Sequence, residues 1–370
     1  MVDVAVVGGG LAGLSVATQM AAHDHTVALF EAQSYPRHKL CGEFLSPESQ
    51  RSLDQLGLTD ALAVHNPPRI DTSVLTAGSL SVTNDMPAAA LGISRYVLDA
   101  ELATRAEDEG ARIHTGCRVS DIRGSLNDGF TVAHAHGTTD AQVVVGAWGK
   151  HGIPDRTMNR TDLSEPADVV AFKAHYEGSM PPIIDIHAFP GGYCGCSPIE
   201  NNRFNVCWIG RRSLLKDTGS PEAMLAAAAD ANPHLKERLA QGTRCTDFCA
   251  VSQVTLDTKG PVHQDVCMVG DTAAMIAPLC GDGMAMALHA ADLLVPHLHV
   301  YLSNTTQPAA LLKAYRADWH RAFDTRLKWG RRLHHVAFRP GVARATVLMA
   351  RLIPALHRWM FRKTRGPLPA

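Results

Sequence analysis

Three stretches of this 370-residue chain combine residue types and spacings that serve chemistry. The first is Gly8-x-Gly10-Leu11-Ala12-Gly13, set directly after the apolar run Val4–Val7 and followed, 18 residues beyond the last glycine, by Glu31 and Ala32. Glycines at this spacing supply a tight turn, a close backbone approach to a pyrophosphate, and close packing of a helix on a strand. The helix N-terminus offers unpaired N–H groups to the phosphates, and Glu31 stands where a carboxylate accepts both ribose hydroxyl protons. A dinucleotide is the ligand such a segment holds. The second stretch is Gly270-Asp271, after the apolar run Val266–Val269, leading to Pro278-x-x-Gly281-x-Gly283-Met284. A carboxylate at a strand end can bind a ribityl hydroxyl, and a Pro/Gly-rich loop opening a helix aims N–H groups at an anion. The N1–C2=O edge of a flavin, negative when reduced, is such an anion. The third stretch is Tyr35-Pro36-Arg37-His38-Lys39-Leu40-Cys41-Gly42-Glu43-Phe44. Arg37 is read as a cofactor contact, and Cys41 and Gly42 as lining the flavin face. Cys41 and Glu43 are the candidate catalytic residues, against the plainer readings of a small buried hydrophobe and a solvated acid leading a helix.

To position these groups the chain must build strand, turn, helix, strand at its start. The pattern predicts a helix over Leu14–Ala22 and a strand over Thr26–Phe30, then a late strand at Val266–Val269 and a small-residue helix at Ala285–Leu294. Between them, Val169–His175, Ile183–Phe189 and Arg203–Ile209 read as strands, with one helix at Pro221–Ala231. Strands without interleaved helices predict an antiparallel sheet. The fold class is α/β: a Rossmann-type dinucleotide domain with an inserted, mainly antiparallel β-sheet substrate domain and a C-terminal helical segment.

Gly270-Asp271 with Pro278-x-x-Gly281-x-Gly283-Met284 resembles the second FAD motif of the para-hydroxybenzoate hydroxylase-like superfamily, which holds group A flavin monooxygenases, flavin-dependent halogenases and geranylgeranyl reductases. Arg95-Tyr96-Val97-Leu98-Asp99-x-x-Leu102 is similar to a helix of the same families whose Arg lies against the cofactor. The resemblance implies bound FAD, NAD(P)H as electron donor, and a discontinuous FAD domain at 1–68, 95–150 and 260–310. The substrate domain then takes 69–94 and 151–259, and the helical segment 311–370. The Pro36-to-Gly42 stretch resembles that of geranylgeranyl reductases, and so does Gly191-Gly192-Tyr193, where Cys194 and Cys196 replace bulkier neighbours and read as small packing residues rather than a metal or disulfide pair. Two departures stand out. Trp148 occupies the place of an Asp that the hydroxylases use in holding NAD(P)H, which leaves room for a separate reductase as electron source, and the Trp-x-Trp-x-Ile-Pro of tryptophan halogenases is absent. Halogenation is set aside on that ground.

Two reactions remain. In the favoured one, reduced FAD meets oxygen, and the resulting C4a-hydroperoxide hydroxylates an aromatic or polyketide-like lipophilic metabolite. In the alternative, reduced FAD passes a hydride to an alkene of a prenyl or other lipidic substrate, with Cys41 supplying the proton. A redox-inert scaffold would have no use for a loop aimed at the flavin N1 edge. The nine cysteines, odd in number and without a CxxC pair, read as reduced thiols of a cytoplasmic protein, and no spacing suggests a metal site. The N-terminus does not read as a signal peptide, no stretch reaches the apolar length of a membrane span, and none of the 19 histidines is given a catalytic role.

The formal net charge of −1 hides a split: residues 311–370 hold 14 of the 35 bases and 2 of the 36 acids, a tail near +12 on a body near −13. Nucleic acid is not an expected partner. Arg344, Arg351, Arg358 and Arg365, seven apart, predict one basic face on an amphipathic helix kinked at Pro354, with Val347, Leu348, Leu352, Ile353, Leu356, Trp359 and Met360 as its apolar side. Such a helix would pack on its own acidic body, lie on an anionic membrane surface, or dock a carrier protein.

Overall fold

A computed structural model of the chain describes residues 1–160, 168–252, 256–339, 341–353 and 363–366. The β-branched run Val2–Val7 forms a central strand of an eight-stranded sheet. Across the sheet the main order is 262–263, 266–268, 137–146, 2–7, 27–30 and 112–114. The hairpin of 119–125 and 129–134 hangs on strand 137–146. Val2–Val7 pairs in parallel with Val27–Phe30 and with Gly137–Gly146, which pairs in parallel with Val266–Met268. Parallel strands need both faces covered. Helix Leu11–Ala22 does so on one face, wedged against helices Arg95–Asp108 and Gly283–Leu302, which explains why nearly all of it is buried. Leu14, Val16, Ala17 and Met20 are each fully buried, the larger ones contributing about 1.5–3 kcal/mol apiece.

That helix begins three residues earlier than expected, because the Leu14 N–H already closes on the Gly10 carbonyl. Gly13 therefore lies inside the first turn. Ser94 caps Arg95–Asp108, its hydroxyl accepting from the Val97 N–H at 3.1 Å.

The second sheet runs 243–244, 169–177, 203–211, 192–199, 183–189, 69–77, 80–92 and 44–45, with 249–251 also on strand 169–177. Each pair is antiparallel except Arg69–Ala77 with Ile183–Phe189, which run parallel. These two strands are joined through much of the first sheet, so no hairpin sets their relative direction. Helices Pro221–Ala231 and Pro233–Leu239 lie near the face that carries Cys194 and Cys196, whose buried sulfurs are 4.0 Å apart. Tyr193 and Gly195, pointing the other way, line a cavity.

Among the described residues the C-terminal segment forms one helix before the stretch expected to be amphipathic and a second within it. Pro308–Ala337 is one helix, burying Leu311, Tyr315, Trp319, Phe323 and Leu327 at four-residue steps toward Gly283–Leu302. Gly341, at φ +76°, then opens a second helix, Val342–Leu352, which buries Val347 and Ala350. Arg344 and Arg351, seven apart on this helix, share a face. Arg344 reaches Gly78, Arg351 is exposed, and Arg365 turns inward to Glu48 at 3.6 Å. The helix ends at Leu352; Pro354, Leu356, Arg358, Trp359 and Met360 lie outside the described residues. Among the described residues no helix is long and apolar enough to cross a membrane.

Candidate active site

A cavity of about 1700 Å³ takes its walls from both sheets. At one end it meets the carboxyl ends of the parallel strands, through Val7, Phe30 and the residues just past Gly146 and Met268, which is where open α/β sheets hold ligands. Gly8, Gly10, Leu11, Ala12, Glu31 and Ala32 line this end. Gly8 has φ +106°, and a Cβ there would lie 2.3 Å from the Ala147 carbonyl oxygen. At Gly13 a Cβ would fall 1.9 Å from the Gly8 carbonyl oxygen, so this glycine serves packing rather than ligand contact. No side chain caps the helix start at Gly10, which leaves its first N–H groups for a ligand.

Glu31 is buried, its carboxylate accepting from the Gly9 N–H at 2.7 Å and the Gln33 N–H at 2.9 Å. Arg37 departs from its expected role. Its guanidinium donates to the Gly9 carbonyl at 2.9 Å and pairs with Glu31 at 3.0 Å, bracing the turn from behind instead of joining the cavity wall. Tyr35 donates to the same carbonyl at 2.6 Å, and burial raises its phenol so that it keeps the proton. Lys39, which sequence reasoning passed over, brings its ammonium to within 3.4 Å of where a Gly10 Cβ would stand. Burial, then the charges of Arg95 and Arg37, lower its pKa to about 8.

Further in, Cys41, Gly42, Glu43 and Arg95 line the cavity together. Arg95 donates twice to Asp99, at 2.6 and 2.9 Å, and contacts Cys41. Burial opposes its charge, but Asp99 outweighs burial and holds the guanidinium above its ordinary range. Gly42 faces open space, with nothing within 4 Å of its Cβ position. Beyond, Gly270, Asp271, Pro278, Gly281, Gly283 and Met284 form the adjoining wall. Gly281, at φ +61°, turns the chain into the 20-residue helix Gly283–Leu302, whose N-terminus meets the cavity. The Asp271 carboxyl opens into the cavity yet lies deep in the molecule. Burial raises its pKa, against the opposing charges of Arg95, Lys150 and Lys39.

Glu43 is neither solvated nor a proton donor, as the sequence reading had it. It is fully buried at φ +54°, its carboxylate clasped by the Lys173 ammonium and by His175 Nε2 at 2.6 Å, and it accepts from the Arg95 N–H at 2.7 Å. Burial alone would raise its pKa; the hydrogen bond from His175 and the charge of Lys173 overcome this and hold it below its ordinary value. The group is a carboxylate without a proton to give. Lys173 carried a readable signal, a lone cation in the apolar run Val169–Ala174. The far end of the cavity is apolar, with Met86, Ile184, Ile186, Tyr193, Ile209 and Met349 on its walls. Trp148 also lines the cavity, its ring filling the space that side chains on Gly146 and Gly152 would take.

These residues fit FAD. A side-chain-free turn and an uncapped helix start suit the pyrophosphate, Glu31 suits the adenosine ribose, Asp271 the ribityl chain, and the helix start at Gly283 the electron-rich edge of the ring.

The model of the family described as FAD binding domain matches residues 1–328. The menaquinone reductase of Mycolicibacterium smegmatis is 26% identical over 313 residues, covering 77% of this chain and 73% of its own. The ubiquinone hydroxylase UbiL of Rhodospirillum rubrum is 25% identical over 341 residues, covering 85% and 77%. Among solved structures, the flavin-dependent brominase Bmp2 superposes with a TM-score of 0.81 at 17% identity over 98% of this chain and 93% of its own, a likeness of fold. The chain thus belongs to the FAD binding domain family and is an FAD-dependent oxidoreductase of the para-hydroxybenzoate hydroxylase-like superfamily.

Proposed function

We propose that this enzyme is a monooxygenase that hydroxylates an aromatic or polyketide-like lipophilic substrate, with NAD(P)H as electron donor. Bound FAD supplies the redox chemistry, as a carrier that takes up a hydride and activates oxygen. The observation that carries the reading is the apolar chamber opening directly onto Cys41 and Gly42, beside a carboxylate, Glu43, that holds no proton. Alkene reduction needs an acid that protonates carbon; hydroxylation of an electron-rich ring needs a dry pocket that orients the ring. The similar proteins named for a reductase and a hydroxylase both carry quinone names, which supports a ring-bearing, lipophilic substrate.

The second reading, alkene reduction, rests on Cys41, which lines the junction next to Arg95. One experiment separates the two: supply the purified holoenzyme with NADPH and, in parallel, a lipophilic phenol and a polyprenyl alkene, and weigh the products. A gain of one oxygen is expected. A gain of two hydrogens without oxygen uptake, abolished by Cys41→Ser, would establish the reductase instead.

We further propose that the cytoplasmic enzyme works at an anionic membrane surface. The last 46 residues hold 11 bases and no acid, and helix Val342–Leu352 leaves Leu348, Met349, Leu352 and, just beyond its end, Ile353 exposed beside Arg344 and Arg351. Met349 also lines the cavity, which supports substrate entry from the lipid side. Sedimentation with phosphatidylserine vesicles at low salt is expected, with the bound fraction falling about tenfold for Leu352→Glu. Equal binding of that variant would refute a lipid contact through this helix and leave the carrier protein, and equal binding to neutral vesicles would refute the anionic requirement.

A further inference from the structure

Between Phe30 and Phe44 the chain forms no helix or strand, yet it carries the groups that face the flavin end of the cavity. Neither sheet ladder fixes Lys39–Gly42. Three of its carbonyls instead accept from buried side chains of the second sheet. Lys173 Nζ donates to the Lys39 carbonyl at 3.0 Å, Asn205 Nδ2 to the Cys41 carbonyl at 3.0 Å, and Ser197 Oγ to the Gly42 carbonyl at 3.1 Å. Lys173 and His175 also hold the carboxylate of Glu43, whose φ of +54° is uncommon for a residue with a side chain and persists when its surroundings over-determine it. The donors sit on three neighbouring strands, 169–177, 192–199 and 203–211, and each is at most 2% exposed. A buried polar group on a sheet core is tolerated where it finds a partner, and here each partner belongs to the same five-residue segment.

We infer that Lys173, His175, Ser197 and Asn205 form a clamp through which the substrate sheet sets the position of the flavin-facing segment Lys39–Glu43. These are positioning residues: they act on the cofactor through the backbone of Cys41 and Gly42. The same face of these strands presents Ala171, Tyr193, Gly195, Cys207 and Ile209 to the cavity, so the face that lines the chamber also holds the flavin-facing segment. The inference serves hydroxylation and alkene reduction alike and rests on FAD lying against Cys41 and Gly42.

The test uses the holoprotein and its apoprotein, with Ser197→Ala and Asn205→Leu, and with Gly42→Ala as a probe of the segment itself. Each clamp variant removes one hydrogen bond, and the FAD dissociation constant is expected to rise about three- to tenfold, with a change in the visible circular dichroism of the bound flavin. Gly42→Ala, whose methyl projects into open cavity, should change the same spectrum directly. If Gly42→Ala changes it while both clamp variants keep wild-type FAD affinity and spectrum and only the apoprotein melts earlier, the clamp is overturned. Should Gly42→Ala be silent too, FAD does not lie against the segment and the placement itself fails. If Asn205→Leu does not fold, Ser197→Ala decides alone.

Discussion

Gly13→Ala is expected to yield a folded but nearly colourless protein whose affinity for FAD has fallen about 100-fold. One methyl group does this because of where it must go. The Cβ would lie 1.9 Å from the Gly8 carbonyl oxygen and 3.0 Å from the Ala147 Cβ, and both neighbours are backbone or backbone-adjacent atoms with no rotamer to yield. Helix Leu11–Ala22 must then move off the strand by more than an ångström. The helix is packed between the sheet and two other helices, so much of the adjustment falls on its free end, at the uncapped start just after Gly10 whose first N–H groups are left for a ligand. Titrating the apoprotein with FAD, alongside far-ultraviolet circular dichroism to confirm folding, measures the effect. An affinity within twofold of wild type would show that the helix start is not the phosphate site.

Glu43→Gln is expected to cost about 3–5 kcal/mol of unfolding free energy at neutral pH, because it leaves the Lys173 ammonium buried without its counter-charge. The pH dependence carries its own sign. A carboxylate whose folded pKa is depressed contributes stability that is present above its unfolded value, near 4.5, and is lost as the pH falls through the lower folded value. Wild type should therefore lose stability on acidification below about pH 4.5, whereas the variant lacks this component. The gap between them should narrow as the pH drops. Urea unfolding from pH 7 to pH 3 reads both curves. A gap that stays constant, or is under 1 kcal/mol at pH 7, would mean that the ion cluster does not hold this part of the fold.

How much of the site was legible in the sequence follows from the range of the forces involved. The turn at Gly8–Gly13, the acid at Glu31, the motif helix from Arg95 and the loop from Pro278 to Met284 were all readable, because each depends on a short stretch whose backbone geometry its own residues dictate. Glycine at a positive φ and a helix start without a cap are local facts. The strands at Ile183–Phe189 and Arg203–Arg211 and the helix at Pro221–Ala231 were readable for the same reason, through alternation or the absence of turn residues.

What only the tertiary structure decided concerns charges, and partners far apart along the chain. Glu43 and Lys173 are 130 residues apart, and no periodicity links them; the fold brings them together, and burial turns an apparent surface acid into an ionised anchor. Arg37 looked like a ligand contact by its place after the second strand, but the turn of the chain set it behind the glycine loop, where Glu31 and the Gly9 carbonyl claim it. In the tail, the seven-residue spacing promised a single basic face; Arg344 and Arg351 keep it on helix Val342–Leu352, whereas Arg365, beyond that helix, turns inward to Glu48. The sequence by itself determined which cofactor the chain is built to hold, since that recognition lies in short backbone motifs. The identity of the groups that press that cofactor into place was decided by the packing of one sheet against the other.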